Sequence, residues 1–232
     1  MNAPNTTQKR TALLVGATGL VGRHVLDALL ADEAYGRTVV LVRRSTGRNH
    51  DKLTECVVDF ETLSNAPIPW GIDDVFACLG TTIKVAGSQE RFRRVDYDYT
   101  LQSATLAKQH GARRLGLVSS VGASATSSTF YLRVKGETER DLEALGFESF
   151  SVARPSLIVG ERQEHRTGES IAMTLGKALS LALVGGLRSY KPIGAAVIAH
   201  ALVDSVLAGE PGAHVLTFDA LVRLAARRSQ TA

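Results

Sequence analysis

The sequence predicts an α/β chain: a doubly wound, mostly parallel sheet of six to seven strands, with helices on both faces. Three observations carry this prediction. Short apolar runs alternate with helically spaced ones through most of the chain. Those runs are apolar throughout, which marks strands buried on both faces. The first run passes straight into a glycine-rich turn and then a helix, the entry to a Rossmann-type nucleotide-binding fold.

Ala12–Gly16 (ALLVG) reads as the first strand by length and branching. In the segment Leu20–Ala31, Val21, Val25, Leu26, Leu29 and Leu30 recur at helical spacing. Thr38–Val42, Cys56–Asp59 and Asp74–Leu79 read as the second, third and fourth strands. The segment Tyr97–His110 reads as a helix, with Leu101, Ala104 and Ala107 on one side. Arg114–Ser119 is a fifth strand, Tyr131–Leu145 a helix and Phe150–Arg154 a sixth strand, with His214–Phe218 a candidate seventh. Pro192–Leu202 opens on a helix-start proline and reads as a helix near the pocket. Residues 1–10 are expected to be a flexible lead-in, 11–222 one NAD(P)-binding domain whose small C-terminal part, 160–222, is the substrate region, and 223–232 a tail.

The 232 residues are 44% hydrophobic and 22% charged, which excludes a disordered or collagen-like chain. Two cysteines, Cys56 and Cys78, exclude a disulfide scaffold and point to a reducing compartment. A net charge of +4 does not call for nucleic acid. The N-terminus lacks the apolar core of a secretory signal, and Lys177 and three glycines interrupt the apolar stretch Ser170–Leu187. The expectation is a soluble cytoplasmic protein with no membrane span. The histidines are scattered without an i, i+4 pair, so no metal site is expected.

The glycine-rich turn is GATGLVG, Gly16 to Gly22. Gly16 permits a tight turn, Gly19 lets backbone approach a pyrophosphate, and Gly22 allows close packing of helix on strand. The helix start then offers free N–H groups to phosphate. An NAD site puts an acid at the end of the second strand; here the chain reads Arg43-Arg44. Two guanidinium groups suit the 2′-phosphate of NADP(H), and the competing reading is a solvated surface pair.

Tyr131 and Lys135 form Y-x-x-x-K, one helical turn apart. An ammonium beside a phenol favours the phenolate, which brings proton exchange toward neutral pH. Taken alone the pattern is more often that of an ordinary amphipathic helix; its place after the fifth strand of a dinucleotide fold reverses that. A hydroxyl from the end of that strand completes the set, and LVSS offers Ser119 or Ser120, with Ser120 preferred.

Together these pieces resemble the short-chain dehydrogenase/reductase superfamily, in its extended and atypical branches. RPSLIVG (Arg154–Gly160) is similar to the stretch that passes over the nicotinamide there. VVDFETL, CLGTT, RVDYDYTLQSATLAK, YLRVKGETE and ERQEHRTGE resemble the Tat-interacting-protein-2-like group of atypical oxidoreductases, over roughly residues 12–170. The resemblance implies that Gly16, Thr18, Gly19, Leu20 and Val21 line the pyrophosphate, and that Arg43 and Arg44 meet the 2′-phosphate. It implies that Asp59 and Phe60 border the adenine, that Leu79, Gly80 and Thr81 back the ribose, and that Pro155, with Tyr131 and Lys135, belongs to the cofactor site. Ser120, Tyr131 and Lys135 would be the catalytic set, and a homodimer would form through the helices at 97–110 and 131–145. The chain departs from many relatives in carrying Asp96 where they have asparagine.

The expected function is an NADPH-dependent oxidoreductase moving hydride between NADP(H) and a small-molecule carbonyl or alcohol. The alternatives are an NADPH-binding redox sensor with little turnover and a sugar-nucleotide epimerase or dehydratase. Glu161, Arg162, Glu164, Arg166 and Glu169 are candidates for a substrate rim or a salt-bridge network, and Ile171–Leu187 for a pocket cover or self-association surface.

Overall fold

The computed structural model describes residues 9–69, 71–160 and 185–231. Seven strands form one sheet, β1 (Arg10–Val15), β2 (Tyr35–Val42), β3 (Leu53–Val57), β4 (Asp74–Ala77), β5 (Arg114–Val118), β6 (Ser149–Ala153) and β9 (Gly212–Leu216). Their spatial order is β3-β2-β1-β4-β5-β6-β9, and every pairing is parallel. The order reverses between β1 and β4, which opens a crevice beyond the carboxyl ends of the strands. The short strands β7 (Ile158–Val159) and β8 (Ile193–Gly194) pair separately.

Alternation along each strand supplies two cores. Ala12 and Leu14 face one side, where α1 (Gly22–Ala31), α6 (Ala195–Ala208) and α7 (Phe218–Thr231) pack through Val25, Leu29, Ile198, Leu202 and Leu221. Leu13 and Val15 face the other, against α4 (Tyr99–Gln109) and α5 (Phe130–Glu143) through Ala104, Ala107 and Leu142. Both faces being covered, β1, β2 and β4 carry unbroken apolar runs, ALLV, VVLV and VFA, over their carboxyl-terminal parts.

Several boundaries differ from the sequence reading, each for a local reason. β1 begins at Arg10, inside the expected lead-in, because the Arg10 N–H bonds Ala34 O at 2.8 Å. β2 begins at Tyr35, whose hydroxyl donates to the buried Asp74 carboxylate at 2.8 Å. β3 lies earlier than Cys56–Asp59 because it is an edge strand, half-buried along its length, and LTECV is not an apolar run. The expected tail continues α7, since Leu221 and Ala225 are buried one turn apart. The segment at 97–110 is α4 preceded by a π-helical turn, Arg94–Asp98. Two short helices, α2 (Ile83–Ala86) and α3 (Gln89–Arg93), precede it, N-capped by Thr82 and Ser88, whose hydroxyls accept from Val85 N–H (3.2 Å) and Arg91 N–H (3.1 Å).

Candidate active site

GATGLVG folds as the turn from β1 into α1. Gly16 has φ +84°, and a Cβ there would stand 2.4 Å from Cys78 O. A Cβ on Gly22 would stand 2.0 Å from Gly16 O, so helix, turn and β4 meet with no room for side chains. α1 starts without a side-chain cap, and Val21 at its N-cap leaves the positive end of the helix open. This end faces two adjoining hollows at the switch point, with volumes near 1280 and 850 Å³, which share Ala17, Thr18, Gly19 and the run from Cys78 to Thr81.

The larger hollow takes the expected adenosine-end residues. Arg43 and Arg44 leave the end of β2 exposed along its wall, and Asp59, Phe60, Leu79, Gly80 and Thr81 line the same hollow. Asp59 caps a 3₁₀ turn, its carboxylate accepting from Glu61 N–H at 2.9 Å. Phe60 is buried with its ring 5.2 Å from that of Tyr99. Arg91, Arg94 and Tyr99 also line this wall. Arg94 is tied to Glu61 at 3.0 Å, and Glu61 also accepts from the Tyr99 hydroxyl at 2.6 Å.

The second hollow carries the reactive groups. Leu20, Val21, Ser119, Tyr131 and Lys135 line it, with Ile158 from RPSLIVG. The backbone N–H of Ser119 bonds Ala153 O at 2.8 Å, which keeps Ser119 on the sheet edge under the cleft. Its hydroxyl is buried and has no hydrogen-bond partner among the described residues. Ser120, preferred from the sequence, is not among the lining residues. It begins the turn closed by Ala123 N–H to Ser120 O, and its hydroxyl donates to Val121 O at 3.3 Å. Pro155 is buried behind that turn, its carbonyl accepting from Val121 N–H at 2.8 Å; it supports the loop and does not line either hollow.

Lys135 and Asp96 form a buried ion pair, Nζ to Oδ1 at 2.7 Å. Burial works against the Lys135 ammonium, but Asp96, with Tyr131 and Glu139, holds it above the ordinary lysine range. Burial pushes the Cys78 thiol up to about 12, so it stays a neutral wall group. Asp96, Arg91 and Tyr99 were not expected in the site, whereas Ile158 belongs to RPSLIVG, the stretch expected over the nicotinamide. Asp96 gave a sequence signal, as a carboxylate in place of asparagine; Arg91 and Tyr99 gave none. Glu161, Arg162, Glu164, Arg166 and Glu169 lie outside the described residues, as does most of Ile171–Leu187. No group of three His, Cys, Asp or Glu side chains suited to a metal is gathered among the described residues.

A nicotinamide dinucleotide fits this cleft. The open α1 terminus and the side-chain-free turn match a pyrophosphate, and the orphaned Ser119 hydroxyl lacks a partner that a ligand would supply.

Comparison with known proteins agrees. Residues 16–180 match the model of a family described as NAD(P)H-binding. Protein HTATIP2 of Rattus norvegicus is 40% identical over 169 residues, 71% of this chain and 69% of that protein. The mitochondrial protein FMP52 of Eremothecium gossypii is 35% identical over 199 residues, covering 83% of this chain and 89% of that one. Among solved structures, MoeE5 in complex with UDP-glucose and NAD superposes with a TM-score of 0.65 at 17% identity, covering 95% of this chain and 82% of that one. A UDP-N-acetylglucosamine 4-epimerase from Methanobrevibacter ruminantium gives 0.67 at 17% identity, with 90% and 76% covered. At such identities these two speak for the fold alone.

The names of the fungal relatives correct the cytoplasmic expectation, since several are called mitochondrial. No described helix is long and apolar enough to cross a membrane. With its parallel seven-stranded sheet, its glycine turn at the switch point and these relatives, the chain belongs to the NAD(P)H-binding family, as an atypical short-chain dehydrogenase/reductase of the HTATIP2 and FMP52 kind.

Proposed function

We propose that this protein is an NADPH-dependent reductase of a small carbonyl compound. The observation that carries the reading is one cleft holding Arg43 and Arg44 at one end and Ser119, Tyr131 and Lys135 at the other. No acid stands at the end of β2 to take the ribose hydroxyls of NAD, and two exposed guanidinium groups suit a phosphate dianion.

NADPH, when bound, supplies hydride; position and electrostatics come from the protein. The α1 terminus and the Gly16–Val21 backbone would hold the pyrophosphate. Ser119 would donate a hydrogen bond to the substrate oxygen, a bond its orphaned hydroxyl is free to make. Tyr131, one turn before Lys135 on α5, would give that oxygen its proton. Lys135 would hold the nicotinamide ribose and fix the tyrosine hydroxyl by its charge. We assign the serine role to Ser119 over Ser120 because Ser119 lines the cleft.

The test is a fluorescence titration with NADPH and with NADH, on the protein and on Arg43→Ala/Arg44→Ala. Selective NADPH binding, weakened about tenfold or more by the double substitution, is expected, since a hydrogen bond to a charged group is worth about 1.5–3 kcal/mol. NADPH-linked turnover across a carbonyl panel, abolished by Tyr131→Phe, then tests the chemistry. Equal affinity for both cofactors, unchanged by the substitutions, would refute the phosphate assignment.

A further inference from the structure

Asp96 sits in the π-helical turn Arg94–Asp98 and is 1% exposed. Such turns recur at functional sites, because the extra residue pushes one side chain out of helical register. The two carboxylate oxygens of Asp96 have separate partners. Oδ2 accepts the N–H of Thr81, in the loop after β4, at 2.9 Å. Oδ1 lies 2.7 Å from Lys135 Nζ on α5. One side chain therefore joins the loop that backs the cofactor cleft to the helix that carries the proton donor. Thr138, also buried on α5, donates its hydroxyl proton to Val134 O at 2.8 Å and lies 3.4 Å from the Asp96 carbonyl.

Among the described residues, four titratable groups face the Lys135 ammonium. Tyr131 and Glu139 come from its own helix, Asp96 from the π-helical turn, and Cys78 from the end of β4. Glu139 is committed to Arg154, which it meets through a paired guanidinium contact. The Cys78 thiol is neutral, for the reason of burial given above. Asp96 is thus the counter-charge of Lys135. An asparagine would accept the same Thr81 N–H, so holding the loop does not require the carboxylate. Its charge answers to the lysine.

We propose that Asp96 is a positioning residue that neutralises Lys135, so that Tyr131 exchanges its proton beside a net-neutral ion pair instead of a bare ammonium. The proposal rests on the reading of Tyr131 as proton donor. A bare ammonium one turn away stabilises the phenolate strongly; an ammonium with a carboxylate against it does so far less. A reduction needs a proton donor at this position, and the ion pair sets the charge beside it.

The test needs neither cofactor nor substrate. Tyrosinate formation is followed by ultraviolet difference absorbance during an alkaline titration, and subtraction of the Tyr131→Phe curve isolates Tyr131. Asp96→Asn is expected to lower the Tyr131 midpoint by about one pH unit or more, roughly a tenfold rise in the tyrosinate-to-tyrosine ratio at fixed pH. Lys135→Met, which leaves a lone carboxylate, is expected to raise it. Asp96→Asn/Lys135→Met, which removes both charges, is expected to return it close to that of the unsubstituted protein. An unchanged midpoint in Asp96→Asn overturns the proposal. Should Asp96→Asn not fold by circular dichroism, the comparison of Lys135→Met with the double variant decides, and equal midpoints there overturn it. Because NADPH binding is measured separately, loss of the reductase reading and loss of the charge compensation are told apart.

Discussion

Replacing Gly136 by alanine sets two effects of opposite sign against each other. Gly136 is buried in the interior of α5, directly after Lys135. By helix propensity alone, alanine there stabilises by about 1 kcal/mol. The added Cβ, however, would stand 2.1 Å from Ser124 C and 2.2 Å from Ala125 N. Both obstacles are backbone atoms, and ordinary contact begins at 3.4 Å, so the 124–125 turn or the helix must move by more than an ångström. Overpacking of that kind costs about 1–3 kcal/mol, and obstacles that cannot rotate away put the cost at the upper end. The expected result is a net destabilisation of about 2 kcal/mol, which at this chain length lowers Tm by roughly 4–8 °C. Urea denaturation of both proteins measures it, read from the midpoint at constant slope. Since the turn that moves follows Ser119 and the helix carries Tyr131 and Lys135, NADPH titration of the same samples is expected to show weaker binding. A midpoint equal to or above that of the unsubstituted protein would refute the steric argument.

Ser119→Ala is expected to leave stability unchanged or raise it by about 1 kcal/mol, because it removes a buried hydroxyl without a partner, while lowering turnover; Ser120→Ala is expected to spare turnover. The opposite pattern of rates would return the role to Ser120. Gly16→Ala combines a φ of +84° with a Cβ 2.4 Å from Cys78 O, so loss of NADPH binding with a drop in urea midpoint is expected; retained binding would contradict the close approach of β1 and β4. Burial raises the Asp74 carboxyl above its ordinary range, against the pull of Arg114, Tyr35 and Arg10. A raised carboxyl contributes stability below its unfolded value, about 4, and loses it as pH rises through the folded midpoint. Urea midpoints taken across that window are expected to fall with pH through this group, and Asp74→Asn to flatten the slope; an identical slope in both proteins would count against it.

What could be read in the sequence follows from what each pattern reports. Strands β1, β2 and β4 declare themselves because they are buried on both faces, and the glycine turn because no other residue type fits between Cys78 and α1. The edge strand β3 is misplaced because none of its residues is fully buried, so it shows no apolar run. Helices α2 and α3, of four and five residues, are too short for a periodicity to show. Tyr131 and Lys135 are local to one helix and readable by spacing. The partner of Lys135 is not, since Asp96 meets it only through the fold. The choice between Ser119 and Ser120 turns on where the chain leaves the sheet, a matter of one residue that strand patterns do not resolve.

The start of the sheet, opposite the cleft, is built in another way. Asp74, at the first position of β4, accepts from Tyr35 at the start of β2 at 2.8 Å, contacts Arg114 at the start of β5 at 2.5 Å, and lies 3.6 Å from Arg10 at the start of β1. Four adjacent strands are thus stitched together at their amino ends by one fully enclosed carboxylate. At their carboxyl ends the same strands offer loose groups: an uncapped helix, two exposed arginines and a hydroxyl with no partner among the described residues. Rigidity and reactivity are therefore assigned to opposite ends of a single layer. Loops at the reactive end can be exchanged, and new substrates accommodated, while the seam that keeps the strands in register stays untouched.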